Sequence, residues 1–242
     1  MTLKVKVFGE RNTGTNYISK LVENNFDVRI LSDGPSYKWE KRFGLGSLSM
    51  NTYTLLTRWR NMGWKHSVPK LTEQEVASSF FICVTKNPYS WLLSLHKRPY
   101  HNSQVADLPF SEFIRSTWPL MRCDNIKAKS VMPAEMWNIK NRAYLDLSNS
   151  AQMAIFLKYE DMLEDPEAFI KGFSLKSGQE LGGNIALLNH GAKSADRNKK
   201  FDDYKDYYLN EKWREKLTAT DISYINGQID IALMKEIGYS LL

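Results

Sequence analysis

The chain has 242 residues, with 43% hydrophobic and 25% charged side chains and a formal net charge of +6. This length suits one sizeable α/β domain, and no apolar run approaches the roughly 20 residues that cross a bilayer. The first residues run directly into an alternating segment, so no secretory signal is expected. The stretch "LKVKVF" alternates and predicts a strand, and "GTNYISKLVENN" predicts a helix with Tyr17, Ile18, Leu21 and Val22 on one face. "SSFFICVTKNP" is a short apolar run ending in a turn, which fits a buried parallel strand. "PYSWLLSLHK" starts a helix with Pro88 in its first turn, "MAIFLKYEDML" is a further apolar run, and Asp165-Pro166 opens another helix. "TATDISYINGQIDIALMKEIGY" reads as helical, with Thr220 or Asp221 as cap. Strand-then-helix units at this spacing predict a central parallel sheet with helices on both faces, and ligands in such sheets bind at the carboxyl ends of the strands. Residues 1–242 are read as a single domain. Cys83 and Cys123 are too few for a disulfide framework and fit a reducing, cytoplasmic compartment; Cys83 is expected in the core.

The positive balance suits an anionic ligand, but the basic residues form no uninterrupted block, which argues against a nucleic-acid tail. The loop from Gly9 to Asn16 supplies the sharper signal. It joins a strand to a helix, where free backbone N–H groups and the helix dipole receive anions. It is one step from the phosphate loop Gly-x-x-x-x-Gly-Lys-Ser/Thr, but Thr15 and Asn16 follow Gly14. The lysine and the metal-binding hydroxyl that a nucleoside triphosphatase needs are both missing. Thr13, Thr15 and Asn16 offer side-chain donors and Arg11 a charge. At the next strand end Lys86 is followed eight positions on by Ser94, and both can face one anion.

Taken together, Arg11-Asn12-Thr13-Gly14-Thr15-Asn16, Lys86-Asn87-Pro88 with Ser94, Tyr159-Glu160-Asp161-Met162 before Asp165-Pro166, and the C-terminal "YYLNEKWREKLTATDISYINGQIDIALMKEIGY" resemble the sulfotransferases that use 3'-phosphoadenosine 5'-phosphosulfate (PAPS). The similarity spans nearly the whole chain, with the motifs in the family's order. It implies a P-loop NTPase-like sulfotransferase fold, PAPS as donor, adenosine 3',5'-bisphosphate as product, no metal, and no nucleic-acid partner. Arg11, Asn12, Thr13, Gly14, Thr15 and Asn16 are implied to hold the 5'-phosphosulfate, and Lys86 and Ser94 the 3'-phosphate. Tyr159 is implied to lie near the adenine, and Arg197, Lys199 and Lys200 to form a basic loop over the 3'-phosphate. Asn12 stands where many relatives carry a loop lysine, and Lys86 where arginine is usual. Lysine lacks the bidentate fork, so a phosphate contact there is less directional.

A base is sought in "MGWKHSVPKL", whose Lys65-His66-Ser67-Val68-Pro69 is similar to the family's Lys-x-His-x-Pro segment. A histidine suits proton removal from an acceptor hydroxyl, and Lys65 and Arg11 suit the charge that develops on the leaving phosphate. Glu10 and Glu40 are the fallback bases. His96 and His101 are assigned to the acceptor cleft or surface, and His190 has no role. Most tryptophans should be core, with Trp39, Trp64 and Tyr100 lining an acceptor cleft. The segment Arg98 to Tyr144 has the weakest periodicity and is assigned to acceptor recognition. The acceptor is expected to be a hydroxyl or amine on a glycan or small metabolite. Two other readings stay open: a P-loop nucleotide or nucleoside kinase, and a non-catalytic module binding an anionic ligand or glycan.

Overall fold

The computed structural model describes residues 2–31, 61–189 and 199–242. Strand β1 (Leu3–Gly9) leads through a loop into helix α1 (Thr15–Asn25) and strand β2 (Val28–Ile30). After α2 (Glu73–Ala77) come β3 (Phe80–Thr85) and α3 (Pro88–Lys97). A short helix α4 (Phe110–Phe113) and a two-stranded hairpin, β4 (Trp118–Pro119) with β5 (Ser130–Val131), precede the long α5 (Pro133–Ser150). Then follow β6 (Ala154–Lys158), α6 (Tyr159–Glu164), α7 (Pro166–Ser177), α8 (Phe201–Leu209), α9 (Ala219–Gln228) and α10 (Ile231–Ile237). Among the described residues no helix is long and apolar enough to cross a membrane.

The four long-range strands form one parallel sheet in the order β2-β1-β3-β6. All six residues of β3 are buried, as the uninterrupted apolar run predicts for a strand covered on both faces. Val5, Val7, Ile82, Val84 and Leu157 pack against Ile18, Leu21 and Val22 of α1 and against Phe169, Ile170 and Phe173 of α7. Phe8, Phe81, Cys83 and Ala154 point the other way, against Tyr144 and Leu147 of α5. Each valine, leucine, isoleucine or phenylalanine among them contributes roughly 1.5–3 kcal/mol before the entropy of ordering is charged against it.

The register positions the site. Gly9 lies opposite Val84, and Val84 opposite Leu157. Strands β3 and β6 therefore end level, at Thr85 and Lys158, with β1 one residue short of them, and the residues that follow, Glu10, Lys86 and Tyr159, emerge at the same edge of the sheet.

Two helix starts have the predicted chemistry. Asn87 accepts from the N–H groups of Tyr89 and Ser90 with Pro88 in the first turn, and Asp165 accepts from Ala168 ahead of Pro166. Pro88 and Pro166 sit where no intrahelical N–H is lost. The C-terminal stretch departs from expectation. Its cap is Thr218, not Thr220 or Asp221: Thr218 Oγ1 accepts from Asp221 N at 3.1 Å, and Asp221 reaches back to Thr218. A reciprocal box needs partners three apart, which puts Thr220 and Asp221 inside the helix. The stretch is also two helices, because Asp230 starts a new one by accepting from Leu233 N at 2.9 Å.

The segment from Arg98 to Tyr144 also divides. Its last part, from Pro133, is the beginning of α5, whose Met136, Trp137, Lys140, Asn141 and Tyr144 are buried. Lys140 and Asn141 on the inward face are what blur its periodicity. Trp91, Trp118, Trp137 and Trp213 are core residues as predicted, while Trp39 lies outside the described residues.

Candidate active site

The loop after β1 is built by two glycines. A Cβ on Gly9 would lie 2.9 Å from the Val84 carbonyl oxygen. Gly14 has φ +80°, and a Cβ there would lie 2.7 Å from the Tyr159 ring. Gly14 caps α1 without a side-chain hydrogen bond, and the first turn carries no acid. The helix N-terminus is thus left with its amide donors and its positive dipole end for an anion. Gly14→Ala is expected to cost about 1–2 kcal/mol from the left-handed backbone alone. Urea denaturation measures it, and an unchanged midpoint would refute the account of this turn.

The loop's side chains do different work from one another. Thr15 and Asn16 are on the wall of a cleft beyond the strand ends. Thr13 is buried and donates to the Glu10 carbonyl at 2.6 Å. Asn12, at φ +66°, donates to the Ser94 carbonyl at 3.1 Å and accepts from the Tyr100 hydroxyl at 2.7 Å. The residue that replaces a loop lysine therefore ties the loop to α3. Arg11 is 2% exposed, with its guanidinium 4.5 Å from the Trp64 ring and 5.5 Å from that of Tyr100. Its two terminal nitrogens have no hydrogen-bond partner among the described residues, and its nearest carboxylate contact is Glu10 at 3.9 Å. Neither the buried Arg11 nor the half-buried Trp64 contributes to the wall of the cleft.

At the end of β3, Lys86 is 1% exposed. Its Nζ donates to Ser94 Oγ at 3.0 Å and to the Asn12 carbonyl at 3.5 Å. The eight-residue spacing thus does bring Lys86 and Ser94 together. The Tyr159 ring lies 5.0 Å from the same Nζ. Glu160 next to it accepts from Asn87 N at 3.1 Å and from the Tyr239 hydroxyl at 2.6 Å. This carboxylate, whose burial raises its pKa, braces the turn after Lys86 from α6.

His66 approaches from the loop before α2. Its Nδ1 lies 2.5 Å from the Gly9 carbonyl. A carbonyl only accepts, so Nδ1 carries the proton and Nε2 keeps its lone pair. Burial, followed by the charges of Lys65 and Arg11, holds the imidazole well below its usual pKa. Lys65 donates to Asn16 Oδ1 at 2.7 Å, and both line the cleft with His66. Beneath them Lys140 donates to the His66 carbonyl at 2.7 Å, to Asp124 at 2.6 Å and to Glu10. Glu10 is therefore bound into a buried ion cluster, which removes it as a free base; Glu40 lies outside the described residues.

The cleft encloses about 450 Å³. Gly14, Thr15, Asn16, Lys65, His66, Ser94 and Tyr159 all contribute to its wall, so the loop after β1 and the second turn of α3 open into one space. Lys199 lines it, whereas Lys200 starts α8 by donating its backbone N–H to Asp203 at 2.8 Å. Arg197 and His190 fall outside the described residues. Tyr100 and His96 line the cleft. His101 instead bonds the Pro119 carbonyl at 3.1 Å. Lys97, Arg98, Lys216 and the α8 tyrosines Tyr204, Tyr207 and Tyr208 are wall residues that the motifs did not mark. No local pattern distinguishes them; only the packing of the C-terminal segment on α6 brings α8 here.

No protein-family model matches the chain, and no curated protein matches it. Among solved structures it is similar to the sulfotransferase domain from the Synechococcus PCC 7002 olefin synthase, with 15% identity and a TM-score of 0.51 over all of this chain and 96% of that one. It also aligns with mouse sulfotransferase SULT7A1 complexed with PAP (16% identity, 94% of this chain and 90% of that one, TM-score 0.46). A third alignment, with the sulfotransferase domain from the curacin biosynthetic pathway, has 10% identity, 100% and 99% coverage and a TM-score of 0.44. The last two are too loose to carry residues across. The first gives the fold: the chain has the architecture of a sulfotransferase domain.

Proposed function

We propose that the chain is a PAPS-dependent sulfotransferase, a single domain over residues 1–242, acting on an acceptor hydroxyl or amine of a glycan or small metabolite. The observation that carries this reading is that Thr15 and Ser94 line one cleft, with His66 and Lys65 on the same wall. A volume of about 450 Å³ suits one adenosine nucleotide with part of an acceptor. When bound, the donor supplies a sulfuryl group attached to a phosphate leaving group. The amides at the start of α1, with Thr15 and Asn16, are assigned the 5' side; Ser94 on the wall, with the buried Lys86 bonded to it from behind, is assigned the 3'-phosphate.

His66 Nε2 takes the acceptor proton as the acceptor oxygen bonds to sulfur and the bond from sulfur to the bridging phosphate oxygen breaks. The proton ends on the imidazole and the electron pair on the departing bisphosphate. Lys65, held at the first turn of α1 by Asn16, stabilises that charge from a preorganised position. Arg11, one layer behind, adds its field without touching the cleft. The free thiols Cys83 and Cys123 fit the reducing, cytoplasmic setting of the same proposal.

Calorimetric titration tests the reading. Adenosine 3',5'-bisphosphate should bind much more tightly than ATP with magnesium, and labelled sulfate should pass from PAPS to an acceptor. Tight metal-dependent ATP binding would instead favour a kinase. Lys86→Met should weaken bisphosphate binding about 10- to 100-fold, since hydrogen bonds to charged groups contribute roughly 1.5–3 kcal/mol. An unchanged affinity would remove Lys86 from the nucleotide site.

A further inference from the structure

Lys86 is a buried cation with which no carboxylate pairs among the described residues. Its surroundings are rich in donors. Ser94 Oγ receives one of its protons and spends its own on the Ser90 carbonyl at 2.8 Å. Tyr208, from α8, lays its ring 3.8 Å from Lys86 Nζ and brings its hydroxyl to 3.4 Å from Ser94 Oγ. That ring is held edge-on by Tyr159 at 5.2 Å and Tyr207 at 4.9 Å, so its position is set by packing on two sides. Both Ser94 and Tyr208 face the cleft, with Lys86 directly behind them.

Three polar groups from three elements thus meet around one point, and Ser94 Oγ is the acceptor they share. A lysine supplies charge but not the two-pronged geometry with which an arginine grips a phosphate. A second fixed donor from another element restores that directionality. We propose that Tyr208 is a further ligand of the 3'-phosphate, completing with Lys86 and Ser94 a pocket that tells adenosine 3',5'-bisphosphate from adenosine 5'-phosphate. In the free protein the three groups satisfy one another. On binding, the phosphate oxygens take the Lys86, Ser94 and Tyr208 protons in place of those mutual contacts. The charge of Lys86 and the contacts with Lys86 and Ser94 outweigh burial and hold the Tyr208 hydroxyl below its ordinary pKa, which makes it a better donor to an oxyanion.

This inference rests on the sulfotransferase reading, and one calorimetric series separates their failures. Adenosine 3',5'-bisphosphate and adenosine 5'-phosphate are titrated into the wild type and into Tyr208→Phe, which keeps the ring on Lys86 and removes only the hydroxyl. Circular dichroism verifies that the variant is folded. The wild type should prefer the bisphosphate; Tyr208→Phe should lose about tenfold or more of its bisphosphate affinity while its affinity for the 5'-phosphate stays the same. If the wild type prefers the bisphosphate and the variant keeps that preference undiminished, Tyr208 is no ligand and the sulfotransferase reading stands. If the variant binds the bisphosphate more tightly, the hydroxyl is an obstruction and the proposal is overturned. A wild type that ignores the 3'-phosphate removes the parent reading together with this one.

Discussion

Replacing His66 with alanine is expected to lower sulfuryl transfer about 10²- to 10⁴-fold, the range a positioned general base supplies. Adenosine 3',5'-bisphosphate affinity should change little, because the imidazole is assigned to the acceptor proton and not to the nucleotide. The pH dependence gives an independent readout. In the free protein the imidazole is held well below its usual pKa by burial and by Lys65 and Arg11. The neutral, competent form therefore persists below pH 6.5, and the acidic limb of kcat/KM should lie on the acid side of that value. Binding an anionic donor brings negative charge beside the ring, which favours imidazolium, so the acidic limb of kcat should move towards higher pH than that of kcat/KM. Turnover at the wild-type rate in His66→Ala would take this residue out of the mechanism. A limb that is unmoved by the mutation of Lys65 to methionine would show that its charge does not shape the base.

Lys140→Met is expected to be the most destabilising single change near the site. Lys140, Glu10 and Asp124 are each no more than 1% exposed, and the lysine joins both carboxylates. Removing one member of a buried ionic cluster leaves uncompensated charge, which typically costs about 3–5 kcal/mol. That is a large share of a total stability of about 5–15 kcal/mol. The loss should appear in urea denaturation and be largely recovered when Glu10→Gln and Asp124→Asn are added, because the stranded charges are then gone. A cost below about 1 kcal/mol for the single change would mean that the cluster is held by something other than its lysine. The same residue donates to the His66 carbonyl, so a surviving fraction of Lys140→Met should transfer sulfuryl groups more slowly than its folded content alone predicts.

Much of the architecture was legible before any coordinates. The alternating first strand, the unbroken apolar run of β3 and the Asn-Pro and Asp-Pro helix starts are local features, set by side-chain period and by proline chemistry. The Lys86 and Ser94 pairing was legible because two turns of helix after a strand end leave little freedom in where the serine points. Thr218, Thr220 and Asp221 all qualify locally as the cap, and only the three-residue reach of a capping box selects Thr218. Helix α5 escaped because its buried face carries Lys140 and Asn141, polar residues whose inward position makes sense only once Glu10 and Asp124 are seen to meet there.

The amino-acid sequence by itself determined a parallel α/β sheet and a glycine-bounded strand-to-helix loop without the triphosphate lysine, together with a histidine placed before the third strand. The tertiary structure alone decided which groups share a space: that Arg11 is buried against Trp64 while Lys65 reaches Asn16, that Glu10 is paired from α5, and that a tyrosine from α8 closes on Lys86. The physical reason is range. Backbone period and capping act over a few neighbouring residues, whereas the pairing of buried charges and rings is chosen by which segments the whole core brings into contact.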